Sequence, residues 1–194
     1  LIIQYKEMKK RIWLLCLLLL FFKLKFIYYS KKNKCNIKLI ESIPKNSTLV
    51  IGHAYGDNEN IGILFDKDLE EFLEINKSNI EAVIFTGDVF YSSNFKSWDL
   101  LNSRYSDQFK IFVAPGNHEI QSKKIFESSI FFQKDYPIVY TNDNIEFNIF
   151  IDDSVKNSWL INEKTKEFIQ NSDKRPMLLI HNPPFKEQLK NVNS

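Results

Sequence analysis

Four short apolar runs in this chain each lead into a residue that can bind a metal ion. The first two end at His53 and Asp88, the third at Asn117 and His118, and the fourth at His181. All three histidines of the chain are in this set. Imidazole nitrogens, carboxylates and amide oxygens suit Mn, Fe and Zn. Ions bound by such a cluster could lower the pKa of a bound water and so prepare it for nucleophilic attack.

The four runs are predicted to be strands. They are rich in β-branched and aromatic residues and are closed by Gly or Pro, which favours buried strands over helices. We place these strands at 48–52, 82–86, 111–114 and 177–180. In an open α/β sheet, the loops beyond the carboxyl ends of the strands gather at one edge, where ligands bind. If the four strands lie in one sheet, the candidate ligands converge at that edge.

Helical patterns alternate with the strands, which predicts an α/β fold. Asp66 is expected to cap the first helix. The predicted helices are 66–76, 97–106, 122–130 and 163–171, and a further strand is predicted at 147–151.

Two groups of side chains could contribute to a site but are expected to be structural. Tyr91, Trp98 and Tyr105 could line a groove, but burial in the core is favoured. Asp152 and Asp153 follow a predicted strand and are interpreted as a turn rather than as a pair of carboxylates for acid–base catalysis.

Residues 1–29 are predicted to be a signal anchor that crosses the membrane once. The run 12–22 is apolar throughout, and the segment reaches bilayer length at position 29 if Lys23 and Lys25 extend to the headgroups. No small-x-small cleavage motif follows. Residues 30–46 are predicted to be a polar linker and residues 47–194 a soluble domain, expected outside the cytoplasm.

Charge is distributed unevenly along the chain. Of 26 Lys and Arg and 24 Asp and Glu residues, ten basic residues and one acid lie in residues 1–38, which leaves the remainder with a net charge of −7. A domain this acidic does not suit a phosphate backbone, so no nucleic-acid partner is expected. Cys16 and Cys35 are too few for a disulfide framework or a cysteine-based zinc site.

Three short motifs occur in order, each after a predicted strand: Gly87-Asp88, Gly116-Asn117-His118-Glu119 and His181-Asn182-Pro183. This arrangement resembles the calcineurin-like metallophosphoesterase superfamily, whose core motifs are G-D, G-N-H-[D/E] and H-x-P. The resemblance covers residues 48–185. It implies a central β-sandwich flanked by helices, and hydrolysis of phosphate mono- or diesters by in-line attack of a metal-bound hydroxide.

The resemblance also implies a role for each candidate residue. Two divalent ions, Mn, Fe or Zn, would be bound, with Asp88 as the bridging ligand. His53 would bind the first ion, and Asn117 and His181 the second. His118 would act as the general acid for the leaving oxygen.

The chain departs from the family pattern in two motifs. His53 and Tyr55 stand where the family has the Asp and the His of a D-x-H motif, and Asp57 could substitute as a ligand. The closing G-x-H motif is absent, and we expect that the carboxyl-terminal part of the domain is missing. Glu119, which completes the second motif, is expected to orient the ring of His118.

Three functions stay open at this point. The leading one is a membrane-anchored phosphoesterase, whose partners would be a phosphate-ester substrate and the membrane. The second is a binding or scaffold protein at the membrane, with the same fold and an impaired centre. The third is a variant at the membrane surface that binds a single metal or acts on sugar- or lipid-linked substrates. Motifs of serine hydrolases and of nucleotide-binding loops do not occur in the sequence.

Overall fold

The computed structural model describes residues 42–56, 63–155 and 160–182. The predicted anchor at 1–29, the candidate ligand Asp57 and the Pro183-Pro184 pair lie outside these ranges. Among the helices of the described ranges, none is both long enough and apolar enough to cross a membrane.

Three parallel strands form the first sheet, in the order β1-β2-β3. Their bounds are β1 Ser47–Ile51, β2 Ile80–Phe85 and β3 Lys110–Val113. Each lies within two residues of its predicted position. Because the strands are parallel, their carboxyl ends lie at the same edge of the sheet, and the loops that carry the first three candidate segments start there.

A second sheet has the order β4-β5-β6 and mixed strand directions. Its strands are β4 Ile138–Tyr140, β5 Phe147–Ile151 and β6 Arg175–Leu179. Strand β4 pairs antiparallel with β5, and β6 pairs parallel with β5. The sequence reasoning did not predict β4. The assumption of one sheet is also wrong, because the strand that leads to His181 belongs to the second sheet.

The two sheets pack against each other through a shared apolar layer. Ala82 and Ile84 of β2 form a buried cluster with Ile149 and Ile151 of β5. The alternate residues of β2 point to the other face, where Val83 packs in the core beneath the helices. Since β2 is covered on both faces, its sequence from Ala82 to Phe85 is continuously apolar rather than alternating. The described part of the chain is therefore a mixed α/β structure with packed sheets and flanking helices, as predicted.

Helices cover the outer faces and the strand ends. They are α1 Lys67–Asn76, α2 Phe95–Tyr105, α3 Asn117–Gln121, α4 Lys123–Glu127 and α5 Glu163–Gln170, with a 3₁₀ turn at Lys77–Asn79. Asp66 caps α1 as predicted, since its Oδ1 accepts the N–H of Asp68 at 3.0 Å. The helix predicted at 122–130 is the shorter α4, and α3 was not predicted. The backbone leaves the helical region between the two at Ser122 (φ −103°, ψ 35°).

Two of the three aromatic residues expected in the core are there. Trp98 and Tyr105 are 2% and 1% exposed. The prediction was wrong for Tyr91, which is 65% exposed. Tyr91 follows β2 in the loop at the edge where the candidate ligands gather, and the apolar core does not extend to that loop.

Asp152 forms the predicted turn and also anchors α5. Its carboxylate accepts the hydroxyl of Thr165 at 2.8 Å and the N–H of Asn162 at 3.2 Å, and both Asp152 and Thr165 are fully buried. A buried carboxylate with this many donors holds the end of β5 against the start of the helix.

Candidate metal centre

The carboxyl ends of strands from both sheets meet at the candidate site. His53 lies two residues after β1, Asp88 lies three residues after β2, and His181 lies two residues after β6. Asn117 and His118 open α3, which begins four residues after β3. All five residues predicted from the sequence therefore lie together, although they come from four separate strands.

One oxygen of Asp88 is the centre of the group. Its Oδ2 lies 3.6 Å from Nδ1 of His53, 3.5 Å from Nε2 of His181 and 4.0 Å from Nε2 of His118. Its other oxygen, Oδ1, accepts the backbone N–H of His118 at 3.1 Å. Asp88 is buried, whereas 62% of the His53 side chain is exposed, so the cluster opens to solvent on the His53 side.

The hydrogen bonds of His181 fix the state of its ring. Nδ1 lies 3.0 Å from the carbonyl oxygen of Thr86, and a carbonyl only accepts, so Nδ1 carries a proton. The other ring nitrogen, Nε2, lies 3.0 Å from Oδ1 of Asn117. In the neutral ring, Nε2 therefore carries a lone pair, which faces the amide oxygen of Asn117 and the carboxylate of Asp88. A cation bound between these three acceptor atoms would stabilise their close approach.

The spacing of these acceptors fits a metal ion. Ligand atoms about 2.1 Å from a tetrahedral ion are about 3.4 Å from one another. The distances from Asp88 to the two imidazoles are 3.5 and 3.6 Å, and one ligand atom from each of His53, Asp88 and His181 lies within 4.8 Å of the others. Two nitrogens and a carboxylate oxygen are also the donor set that Zn, Mn and Fe accept.

The backbone at the site is held in uncommon conformations. His53 and Asp88 both have positive φ, 49° and 54°, which side chains other than glycine adopt at a cost of about 1 kcal/mol or more. Gly87 precedes Asp88 at φ 91°, and a Cβ there would lie 2.5 Å from Nδ1 of His181. A Cβ on Gly116 would overlap the carboxylate of Asp88. These two glycines let the strand ends approach closely enough for the ligands to meet.

Glu119 holds this backbone rather than the imidazole of His118, which corrects the role expected for it. Its Oε2 accepts the N–H groups of Asp88 and Gly116, both at 2.8 Å, and its Oε1 accepts that of Val89 at 3.0 Å. The side chain is completely buried. Glu119 therefore ties the loop after β2 to the loop after β3 and fixes the direction of the Asp88 carboxylate.

A backbone carbonyl orients His118 instead. Nδ1 of the ring lies 2.7 Å from the oxygen of Tyr91, so this nitrogen is the donor and Nε2 points towards Asp88. The side chain is 22% exposed, which leaves it accessible to a ligand. Sequence reasoning missed this contact, and no residue-type signal could have revealed it, because any residue at position 91 offers the same carbonyl.

Tyr55 packs beside the imidazoles. Its hydroxyl lies 3.3 Å from Nδ1 of His53, the same nitrogen that faces Asp88. Burial, and then the negative charge of Asp88, raise the pKa of Tyr55, so its phenol is neutral near pH 7. Asp57, the other candidate for this position, lies outside the described residues.

The loop after His181 is anchored from the second sheet. The N–H of Asn182 donates to the hydroxyl of Ser154 at 3.0 Å, and both residues are buried. This bond fixes the direction in which the chain leaves β6, and with it the position of the His181 ring.

The fold and the site together define a class: an α/β protein with packed sheets and a metal-binding His/Asp cluster at the strand ends. Residues 48–191 match the family model described as calcineurin-like phosphoesterase, and the chain belongs to that family. A comparison with curated proteins finds no match.

Proposed function

We propose that the protein is a hydrolase of phosphate mono- or diesters that uses two divalent ions, Mn, Fe or Zn, held around Asp88. The observation that carries the proposal is the position of Oδ2 of Asp88, 3.5 and 3.6 Å from imidazoles that come from different sheets. Membership of the calcineurin-like phosphoesterase family supports the reaction class.

The ligands divide between two positions in this proposal. Asp88 would serve both positions, His53 the first, and Asn117 and His181 the second. When bound, such ions would supply a hydroxide near neutral pH and neutralise the charge on the phosphoryl oxygens. The contact between His181 and the Thr86 carbonyl keeps Nε2 directed into the cluster, because the ring cannot rotate without losing that hydrogen bond.

His118 is proposed as the general acid. Its Nδ1–H is committed to the carbonyl of Tyr91, so Nε2 is the atom that exchanges a proton with the substrate. A proton on Nε2 can pass to the leaving oxygen as the bond to phosphorus breaks. The hydrogen bond from its own backbone N–H to Asp88 keeps His118 beside the bridging carboxylate.

Replacement of Asp88 by Asn tests the proposal. The change removes the charge and the bridging ability of the carboxylate, so we expect loss of both bound metal and hydrolysis of an aryl phosphate. Asp99→Asn, at an exposed position of α2, is the matched control and should change neither. Full activity of the Asp88 variant would refute the role given to this residue.

A second candidate is a binding or scaffold protein with an impaired first metal position. The observation that favours it is the hydroxyl of Tyr55, 3.3 Å from the His53 nitrogen that faces Asp88. A neutral phenol in that place is a weaker ligand than an imidazole or a carboxylate. Elemental analysis separates the candidates: two equivalents of metal with turnover support the enzyme. A single equivalent with no turnover of mono- or diesters supports the scaffold.

Anchoring of the domain to a membrane, on its outer side, is proposed from residues 1–29 of the sequence alone. Extraction of membranes at alkaline pH should leave the protein in the pellet, and added protease should digest the domain in intact cells. Release into the supernatant would refute the anchor.

A further inference from the structure

A small cavity lies beside the proposed general acid. Its volume is about 150 Å³, and its lining includes Tyr55, Tyr91, Phe65 and Phe90 together with Ser92 and Ser97. Phe65 and Phe90 are buried and belong to the core beneath α1 and α2. The two phenylalanines therefore form an apolar floor of the cavity, and Tyr91, which is 65% exposed, lies at its rim. A cavity of about this volume, lined by apolar side chains, is large enough for a benzene ring.

Two tyrosine side chains both line the cavity and contact His118. The ring centroids of Tyr55 and Tyr91 are 5.7 Å apart, and they lie 5.6 and 5.7 Å from the centroid of His118. His118 thus contacts both tyrosine rings with its imidazole, and the same two tyrosines line the cavity. A leaving group beside His118 would therefore lie next to a cavity bounded by aromatic side chains.

We propose that the site takes phosphate esters of aromatic alcohols, with Tyr55 and Tyr91 as the residues that determine this specificity. The inference rests on the proposed phosphoesterase function and adds the substrate class to it. In the reaction, the oxygen of water bonds to phosphorus and gives up one proton to solvent as the bond from phosphorus to the aryl oxygen breaks. The proton on Nε2 of His118 passes to the aryl oxygen, which leaves as a phenol, and Nε2 takes up a proton from solvent before the next turnover.

Aromatic packing rather than charge supports this class. Aromatic pairs at 4.5–7 Å contribute about 0.5–1.5 kcal/mol beyond burial of their surface, which corresponds to roughly a 2- to 12-fold preference for each ring pair. Among the described residues that line the cavity there is no Lys, Arg, Asp or Glu. A charged leaving group would lose solvation there without gaining an ionic partner from these side chains.

Tyr91→Ala is the central test. Tyr91 is mostly exposed, so the fold should tolerate the change, and the backbone carbonyl that accepts from His118 is retained. We expect the ratio of kcat/KM for phenyl phosphate to that for ethyl phosphate to fall about 3- to 10-fold, mainly through KM on the aryl ester. Tyr91→Phe should keep the ratio. Phe95→Ala, which removes another exposed aromatic ring outside the cavity lining, should also keep it.

Binding without hydrolysis separates this inference from the proposed function. Dissociation constants of phenylphosphonate and methylphosphonate are measured by calorimetry on the full chain loaded with Mn²⁺. A preference for the phenyl compound that Tyr91→Ala removes supports the aromatic site even if no ester is hydrolysed, in which case the phosphoesterase function fails alone. Hydrolysis with equal binding of both phosphonates overturns the aromatic site and leaves the function standing. If Tyr91→Ala lowered kcat/KM equally for phenyl phosphate and ethyl phosphate, the aromatic site would also be overturned, because Tyr91 would then act only through His118.

Discussion

Replacement of Glu119 by Gln removes one acceptor oxygen from a completely buried carboxylate that serves three backbone N–H groups. If the amide oxygen takes the place of Oε2, it keeps the bonds to Asp88 and Gly116 and turns the NH₂ group against the N–H of Val89. An unsatisfied buried donor costs about 1–3 kcal/mol, and each remaining bond loses about 1 kcal/mol with the charge. The expected loss in the free energy of unfolding is therefore about 3–5 kcal/mol.

Thermal unfolding of the metal-free protein measures this loss directly. For a domain of this size, about 1 kcal/mol shifts the midpoint by roughly 2–4 °C, so Glu119→Gln should lower Tm by roughly 6–20 °C. Glu127→Gln is the matched control, because Glu127 forms an exposed pair with Lys123 and should cost less than about 1 kcal/mol. If the two variants unfolded at the same temperature, Glu119 would not hold the strand ends together as described.

Three further changes test separate parts of the site and its support. His118→Ala should retain bound metal, measured by elemental analysis, while turnover falls roughly a hundredfold or more, because only the proton donor is removed; loss of metal would contradict this role. Gly116→Ala should abolish metal binding in a calorimetric titration, because the new methyl group overlaps the Asp88 carboxylate. Gly52→Ala is its control: the new methyl group would contact only the Thr86 hydroxyl, at 3.0 Å, so this variant should bind metal normally. Burial alone would raise the pKa of Glu74, but the hydrogen bond from Arg104 contributes to a net lowering of that pKa. The stability that this pair contributes is therefore present above about pH 4.3 and is lost as the pH falls further. Glu74→Gln should therefore cost up to about 1 kcal/mol at pH 7, less in high salt, and nothing by pH 2; an equal cost at both pH values would exclude the ion pair as the cause.

The strands and the candidate ligands could be predicted because their signals are local. Apolar runs closed by Gly or Pro marked four of the six strands of the described residues to within two residues at each end, and an apolar run before Asp152 and Asp153 marked β5 at its bounds of 147–151. A ligand placed directly after a strand is carried to the edge of its sheet by the backbone itself. For this reason His53, Asp88 and His181 could be named before any contact between them was known.

The partition of strands between sheets could not be predicted in this way. The sequence of β6 is compatible with a buried strand in either sheet, and only the pairing of β6 with β5 decides which sheet contains this strand. Strand β4 has three residues, too few for a periodicity, and was missed. Helix α3 has five residues, too few to show a helical period, and was also missed.

The roles of Glu119 and Tyr91 stayed hidden for a related reason. Each acts through a main-chain group: Glu119 accepts three backbone N–H donors, and the carbonyl of Tyr91 accepts from His118. The residue types of a sequence do not indicate which backbone groups lie nearby in the folded chain. That an acid stands next to His118 was visible in the sequence, but its burial and its partners were not.

Anomalous diffraction from crystals grown with Mn²⁺ tests the central claim most directly, because it locates the ions without reference to activity. We expect a peak about 2.0–2.2 Å from Oδ2 of Asp88 that also contacts Nε2 of His181 and Oδ1 of Asn117. A second peak on the His53 side of the same carboxylate is expected for the two-ion centre. Saturated crystals with no peak between Asp88 and His181, or with the metal bound elsewhere, would contradict the account.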